Sequence, residues 1–292
     1  MSRVLVTSAD GAVGALAADA LARLDTPVEA IKASPRGTLA ERSAEWMHII
    51  DDVDPQMVFV NDVVVGLGRQ VVDSADVAVA ALAACARTDS VRRVVVVSSG
   101  EIYGSDGAQP TFVTEAQRPV PPVSATTAAL RAVEDAAAEL GMARPDMQLA
   151  ILRPTEILGE TPLGFLAEHV QNSGRYVGAE AGFDPQVQFM TDHDFAVICL
   201  AALTGDACGV YNIAPAGALP LADALEAAGR VRVPSNRPMN RVASILRGSS
   251  RWSRELTDLL TFGRALDASR AASVGWTVPS GSLAAVAALA SQ

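Results

Sequence analysis

Gly11 and Gly14 in VTSADGAVGALAADAL stand between a short apolar run and an amphipathic stretch. Such a turn leaves backbone N–H groups and a helix N-terminus free to hold a pyrophosphate. An ordinary strand-to-helix turn with glycine for packing is the competing reading. A second group ends the run VRRVVVVSSG: Ser98 and Ser99, followed by Glu101. A serine hydroxyl donates a hydrogen bond well but is a poor acid, so it can orient a carbonyl without completing a proton transfer. A polar strand end without chemistry would look the same. Glu101 and Glu156 are candidate acids, with solvated surface carboxylates as the alternative. From Pro119 to Ala129, where PVPPVSATTAALRAVEDAAAEL turns into a helix, there is no Tyr, Lys, His, Asp or Glu. The histidines His48, His169 and His193 form no local cluster, and Cys85, Cys199 and Cys208 lack metal-ligand spacing, so no metal is expected.

The elements that must position these groups follow from periodicity. RVLVTS reads as a strand. Val13, Leu16, Ala17, Ala20, Leu21 and Leu24 share one face of a following helix. TPVEAIKAS is a second strand, EWMHIIDD a third and DVVVGLG a fourth. A trimmed or missing third helix is expected between Asp54 and Asp62. SADVAVAALAACAR is a helix, VRRVVVVSSG a strand buried on both faces, and MQLAILRP another strand. This alternation predicts an α/β fold: a Rossmann-like doubly wound parallel sheet with right-handed crossovers. Beyond Pro154, TEILGETPLGF and GRYVGAEAGFDPQVQFM read as loop-rich, DHDFAVICLAAL as a helix and GVYNIAP as a strand. The dinucleotide-binding part is expected over 1–155 with a return at 187–214. A smaller, loop- and helix-rich C-terminal substrate part takes 156–186 and 215–292.

Composition narrows the partners. Half of the 292 residues are hydrophobic, enough for a sizeable core. A net charge of −10 argues against nucleic acid or an anionic membrane surface as partner. No apolar run reaches the roughly 18 residues of a membrane span, and MSRVLVTSADG lacks a signal-peptide core. With three dispersed cysteines, a cytoplasmic location is expected. The oligomeric state is not readable.

Thr7-Ser8-Ala9-Asp10-Gly11-Ala12-Val13-Gly14 resembles the TGxxGxxG turn of the short-chain dehydrogenases/reductases, with Ser8 where the first glycine is expected. The extended, NAD-dependent epimerase/dehydratase-like branch is the most similar. DVVVGLG is similar to its DVVxHLA strand, VRRVVVVSSGEIYG to VRRxVxxSSxxVYG and LAILRPTEILG to LRPxxxYG. FMTDHDFAVICLAAL and ALDASRAASVGWTVPSGSL resemble its FVHVDDVAxAI and LDxSRAxxxLGWxP segments, in the right order. The resemblance implies a dinucleotide held by Ser8, Asp10, Gly11, Ala12, Val13 and Gly14, with Gly66, Ser98, Pro154 and Thr155 along the cleft. It implies that Ser98 faces the nicotinamide, that Ser99 positions the substrate carbonyl and that Asp52 contacts adenine. The second strand ends without the acidic residue that selects NAD. Lys32, Ser34 and Arg36 instead suit a 2′-phosphate, so NADP (NADPH) is expected; a solvated basic loop is the alternative.

The family's acid is a tyrosine with a lysine four residues on. Here Val123 and Thr127 stand in those places. Tyr103, Tyr176 and Tyr211 are followed four residues later by Gly107, Glu180 and Pro215, and Lys32 is the only lysine. The chain also resembles polyketide-tailoring ketoreductases with atypical sites. The expectation is an NADPH-dependent ketoreductase acting on a bulky, apolar, aromatic ketone whose own hydroxyl supplies the proton. The alternatives are an inactive NADP-binding sensor and a sugar-nucleotide-binding scaffold. Residues 232–263, with their Arg, Trp and Met, are expected to wall the substrate cleft.

Overall fold

The computed structural model describes residues 3–8, 12–23, 28–30, 37–62, 71–160, 162–180, 182–235 and 253–291. The first half runs β1 (Val4–Val6), α1 (Ala12–Ala22), β2 (Val28–Ala30), α2 (Leu39–Val53), β3 (Met57–Val60), α3 (Val71–Cys85) and β4 (Arg93–Val97). Next come β5 (Phe112–Val113), α4 (Ala125–Ala143), β6 (Gln148–Pro154), β7 (Glu156–Leu158), α5 (Phe165–Asn172) and β8 (Tyr176–Glu180). Then follow β9 (Gln186–Val187), β10 (Phe189–Thr191), α6 (Asp192–Thr204), β11 (Gly209–Ile213), β12 (Leu219–Pro220) and α7 (Leu221–Ala227). The last elements are β13 (Val231–Ser235), α8 (Arg254–Phe262), β14 (Ala265–Leu266), α9 (Ser269–Ser273) and α10 (Ser282–Ala287).

A parallel sheet in the order β11-β6-β4-β3-β1-β2 forms the centre. Successive strand residues point to opposite faces, and the core divides accordingly. Leu5, Val58, Val94 and Val96 pack with α2, α3 and α4 on one face. Val4, Val6, Val95, Val97 and Leu152 pack with α1 and α6 on the other. With helices on both faces, the strands must be apolar throughout, which is what RVVVV in β4 shows. Among the described residues no helix is long and apolar enough to cross a membrane.

Two sequence expectations fail here. EWMHIIDD is not a strand but the body of α2. Thr38 caps that helix: its Oγ1 accepts from the Glu41 amide at 3.3 Å, and the Glu41 carboxylate accepts from the Thr38 amide at 2.8 Å. Trp46 and Ile50, one turn apart, are its buried stripe. The third strand is MVFV, just before Asp62; residues 63–68 of DVVVGLG lie outside the described residues. The span 54–62 is therefore a turn and a strand. The segment 156–186 is also more ordered than expected. β7 pairs with β10, β8 with β13 and β9 with β12. Strands of two to five residues paired with remote segments leave no local period to read.

Candidate active site

At the end of β1 the chain passes close to the start of α1. A Cβ added to Gly14 would lie 2.0 Å from the Ser8 carbonyl oxygen and 2.5 Å from the Asn61 side chain, so only glycine allows this approach. Ala12 and Val13 open α1 beside it. The Asn61 Oδ1, at the end of β3, is buried without a hydrogen-bond partner. Thr7 donates to Asp62, and burial pushes the Asp62 carboxyl up to about 6 against the pull of that hydrogen bond. Asp10, Gly11, Lys32, Ser34, Arg36 and Gly66 lie outside the described residues.

Beyond the carboxyl end of β4 the chain makes a single 3-10 turn, Gly100–Tyr103. Ser99 caps it, its hydroxyl accepting from the Glu101 amide at 3.1 Å. A cavity of about 140 Å³ adjoins this turn. Its walls include Glu101, Val123, Thr127, Arg264 and, from α8, Arg254 and Glu255. A neighbouring cavity of about 230 Å³ shares Asp106 and Arg264 and adds Phe183 and Phe262, which are 53% and 40% exposed. Val123 and Thr127 are thus on the cavity wall where a tyrosine and lysine were sought. Val123 is 51% exposed. Thr127 is committed to the start of α4: its Oγ1 accepts from the Val123 and Ser124 amides at 3.0 and 3.1 Å.

Other assignments are corrected. Asp52 is on the exposed last turns of α2 beside His48, so it does not follow a strand and does not stand where a residue touching adenine would. Ser98 is turned to the helix side of the sheet, toward Glu134 on α4. It is fully buried and its hydroxyl donates to Glu134 at 2.6 Å. Ser99 is buried and is not among the residues lining the cavity. Pro154 ends β6, and the Thr155 hydroxyl donates to the Gln188 carbonyl at 3.2 Å. Glu101 and Glu156 are not surface carboxylates, being 2% and 3% exposed. Residues 236–252 of the expected wall are outside the described residues, but α8, at its end, lines the cavity with Arg254, Glu255 and Asp258.

Sequence reasoning missed Arg264. Its Nη1 donates to Glu101 at 2.9 Å and its Nη2 to Glu156 at 2.9 Å. The partners lie 163 and 108 positions away, so no local pattern links them. Glu156 also accepts from the Leu166 and Ala167 amides, at 3.0 and 2.9 Å, at the N-terminus of α5. Gly164, at φ +122°, clears the space, since a Cβ there would lie 2.1 Å from the carboxylate. Burial opposes ionisation of Glu101, but the charge and hydrogen bond of Arg264 outweigh it and hold Glu101 below the usual carboxylate range. Burial, and then the charge of Glu101, push Glu156 well above that range. Among the described residues no group of His, Cys, Asp and Glu could hold a metal ion.

The sequence profile of the NAD dependent epimerase/dehydratase family matches residues 4–214. The uncharacterized protein Rv0501 of Mycobacterium tuberculosis is 32% identical over 193 residues, 64% of this chain. The chain spans about half the length of that relative, 50%. Among solved structures, WbmH of Bordetella bronchiseptica in complex with NAD+ superposes with a TM-score of 0.71 at 17% identity, covering 100% of this chain and 98% of its own. The UDP-glucose 4-epimerase of Thermus thermophilus complexed with NAD gives 0.71 at 17%, over 99% and 98%. RMD of Pseudomonas aeruginosa complexed with NADPH gives 0.70 at 17%, over 100% and 97%. The doubly wound sheet, the glycine-dependent turn and a profile match across most of the sequence agree: the chain belongs to the NAD dependent epimerase/dehydratase family.

Proposed function

We propose that this chain is a nicotinamide-dependent ketoreductase acting on a bulky, largely apolar ketone of the aromatic polyketide kind. The observation that carries the reading is the pairing of two features at the carboxyl ends of one sheet. One is the close Gly14 turn at β1, the other a cavity beyond β4 with Val123 and Thr127 on its wall. The turn fits the phosphate end of a dinucleotide: Ser8, Ala12, Val13 and Gly14 would hold it, and the unpartnered Asn61 oxygen offers an acceptor to a ribose hydroxyl beside it. WbmH and the Thermus epimerase carry NAD and RMD carries NADPH, so the fold accommodates either dinucleotide. A bound, reduced nicotinamide supplies the hydride. This chain's residues orient the ketone, and the exposed Phe183 and Phe262 rings suit an aromatic skeleton.

The likeness to sugar-nucleotide epimerases suggests a second reading. The lining of the cavity weighs against it. Glu101, Asp106, Glu255 and Asp258 outnumber Arg254 and Arg264, and Glu255 Oε1 is buried without a partner. A diphosphate entering there would meet carboxylates.

NADPH is the proposed cofactor, from Lys32, Ser34 and Arg36 in the second strand-to-helix loop. Titration of the protein with NADPH and NADH tests this. Arg36→Ala should weaken NADPH binding by about 1.5–3 kcal/mol, the worth of a charge-assisted phosphate contact, and leave NADH little changed. Equal losses for both would remove the 2′-phosphate assignment. Binding of either dinucleotide without reduction of any ketone would favour a sensor.

A further inference from the structure

We propose that Glu101, backed by Glu156 and Arg264, is the proton donor of this site and takes the place of the missing tyrosine. The inference rests on the ketone-reduction reading. It puts an acid of the protein in place of the substrate-supplied proton, which was inferred from the absence of a tyrosine–lysine pair.

The geometry is specific. One guanidinium spans two carboxylates, with Arg264 Nη1 on Glu101 and Nη2 on Glu156, both at 2.9 Å. All three side chains are buried, at 2%, 3% and 7% exposure for Glu101, Glu156 and Arg264. Fully ionised, the trio would bury a net negative charge, which is costly without a second cation. One retained proton makes it neutral. Glu156, away from the cavity and beside the charge of Glu101, holds that proton. Glu101 alone of the two carboxyls lines the cavity, opposite Val123 and Thr127. The remaining charged groups facing it are Asp106, Arg254, Glu255 and Asp258. Arg254 and Asp258 are 3.5 Å apart, one helical turn from each other.

The step balances as follows. A bound, reduced nicotinamide would supply the hydride for the C–H bond at the carbonyl carbon. The π pair moves to oxygen, which takes a proton from Glu101. That proton reaches Glu101 from Glu156: the Glu156 O–H bond breaks as the Glu101 O–H bond forms, and the Glu101 O–H bond then breaks as the alcohol O–H forms. The charge left on Glu156 is met by Arg264 and by the Leu166 and Ala167 amides. Solvent returns one proton through Glu101 after the alcohol leaves.

The test uses the full chain with NADPH and two probes, 8-hydroxy-1-tetralone and its methyl ether 8-methoxy-1-tetralone. The wild type should reduce both at rates within about tenfold, since the ketone's own phenol is not needed. Glu101→Gln should lower kcat on the methoxy ketone by about 10²-fold or more, the usual worth of a positioned acid, with KM little changed. The wild-type rate should fall as pH rises through the titration of the pair, and Glu156→Gln, which takes away the stored proton, should move that descending limb to lower pH. Each Gln variant leaves one Arg–carboxylate pair, so both should fold; a thermal melt checks this. Infrared spectra of the free protein at pH 7 should contain a protonated-carboxyl band that Glu156→Gln deletes. Absence of that band in the wild type overturns the proposal even where reduction occurs. So does unchanged reduction of the methoxy ketone by Glu101→Gln, or reduction confined to the phenol. Failure of the wild type to reduce either ketone while the band is present overturns the ketone-reduction reading, and the proposal with it.

Discussion

Two buried Glu–Arg clusters lie a few residues apart in this chain, and their charge balance differs. In the first, Arg153 on β6 meets Glu134 on α4, with Nε to Oε1 at 2.8 Å. Ser98 donates to the same carboxylate, Arg153 donates to the Tyr103 hydroxyl at 2.6 Å, and that hydroxyl donates to Asn212 at 2.8 Å. One cation meets one anion, and every partner belongs to the central sheet or an element against it. In the second, one cation meets two carboxylates, one of them on a cavity wall. A balanced, sealed pair joins elements together. An unbalanced pair beside a cavity has to hold a proton, and a held proton can be transferred. The sequence feature common to both is a Glu and an Arg far apart; only the count of charges brought together tells the two roles apart.

Removing the cation sharpens this contrast most. Arg264→Met leaves two buried carboxylates against no cation, and Arg153→Met leaves one. Breaking a buried pair costs about 3–5 kcal/mol. Both variants should therefore be strongly destabilised in urea at pH 8. At pH 5 the two deficits should shrink by similar amounts, because Glu156 already holds its proton and one ionised carboxylate is left in each variant. A distinctly larger pH response of Arg264→Met would mean that Glu156 is ionised in the wild type.

Much of the frame was legible because it is local. The alternation of VLV, RVVVV and QLAILRP with amphipathic helices gives the parallel sheet, and Gly11 and Gly14 mark the first turn. EWMHII was misread because a short apolar run suits either state. The signal that decides it is the capping box four residues earlier, Thr38 with Glu41. At the site, the absence of a tyrosine–lysine pair was visible, and so were Glu101 and Glu156 as candidates. Their burial and their common partner were not. Arg264 stands next to β14, which pairs with the remote β5, and it lines the cavity beside Glu101, a tertiary fact with no sequence period.

Another buried carboxyl breaks the pattern in a different way. Asp62 is 4% exposed and is held by the Thr7 hydroxyl. Its folded value, about 6, is raised above the unfolded one, so folding favours the protonated form. The associated stability is complete below about pH 4 and is lost as pH rises through about 6. Asp62→Asn keeps an acceptor for Thr7 and removes the ionisation. It should be more stable than the wild type at pH 8 by up to about 3 kcal/mol, with the difference closing at pH 4. Denaturation curves at the two pH values measure this, and a gap that does not vary with pH would sink it.

The smallest expected effect concerns the residue that looked most catalytic. Ser99 resembles the family's substrate-positioning serine, yet its hydroxyl accepts from the Glu101 amide and begins the turn that carries Glu101. It is 3% exposed and is not part of the cavity wall. These contacts suit a residue that positions Glu101. Ser99→Ala removes a cap, worth about 1 kcal/mol. It should reduce turnover of the methoxy ketone by less than about tenfold, because a displaced acid loses alignment but keeps its proton. The decisive measurement is the pH profile. If Ser99 only positions Glu101, the descending limb stays where it is in the wild type while the plateau drops. If Ser99 were the group that polarises the carbonyl, its loss would exceed that of Glu101→Gln, and the order of the two rate losses would be reversed.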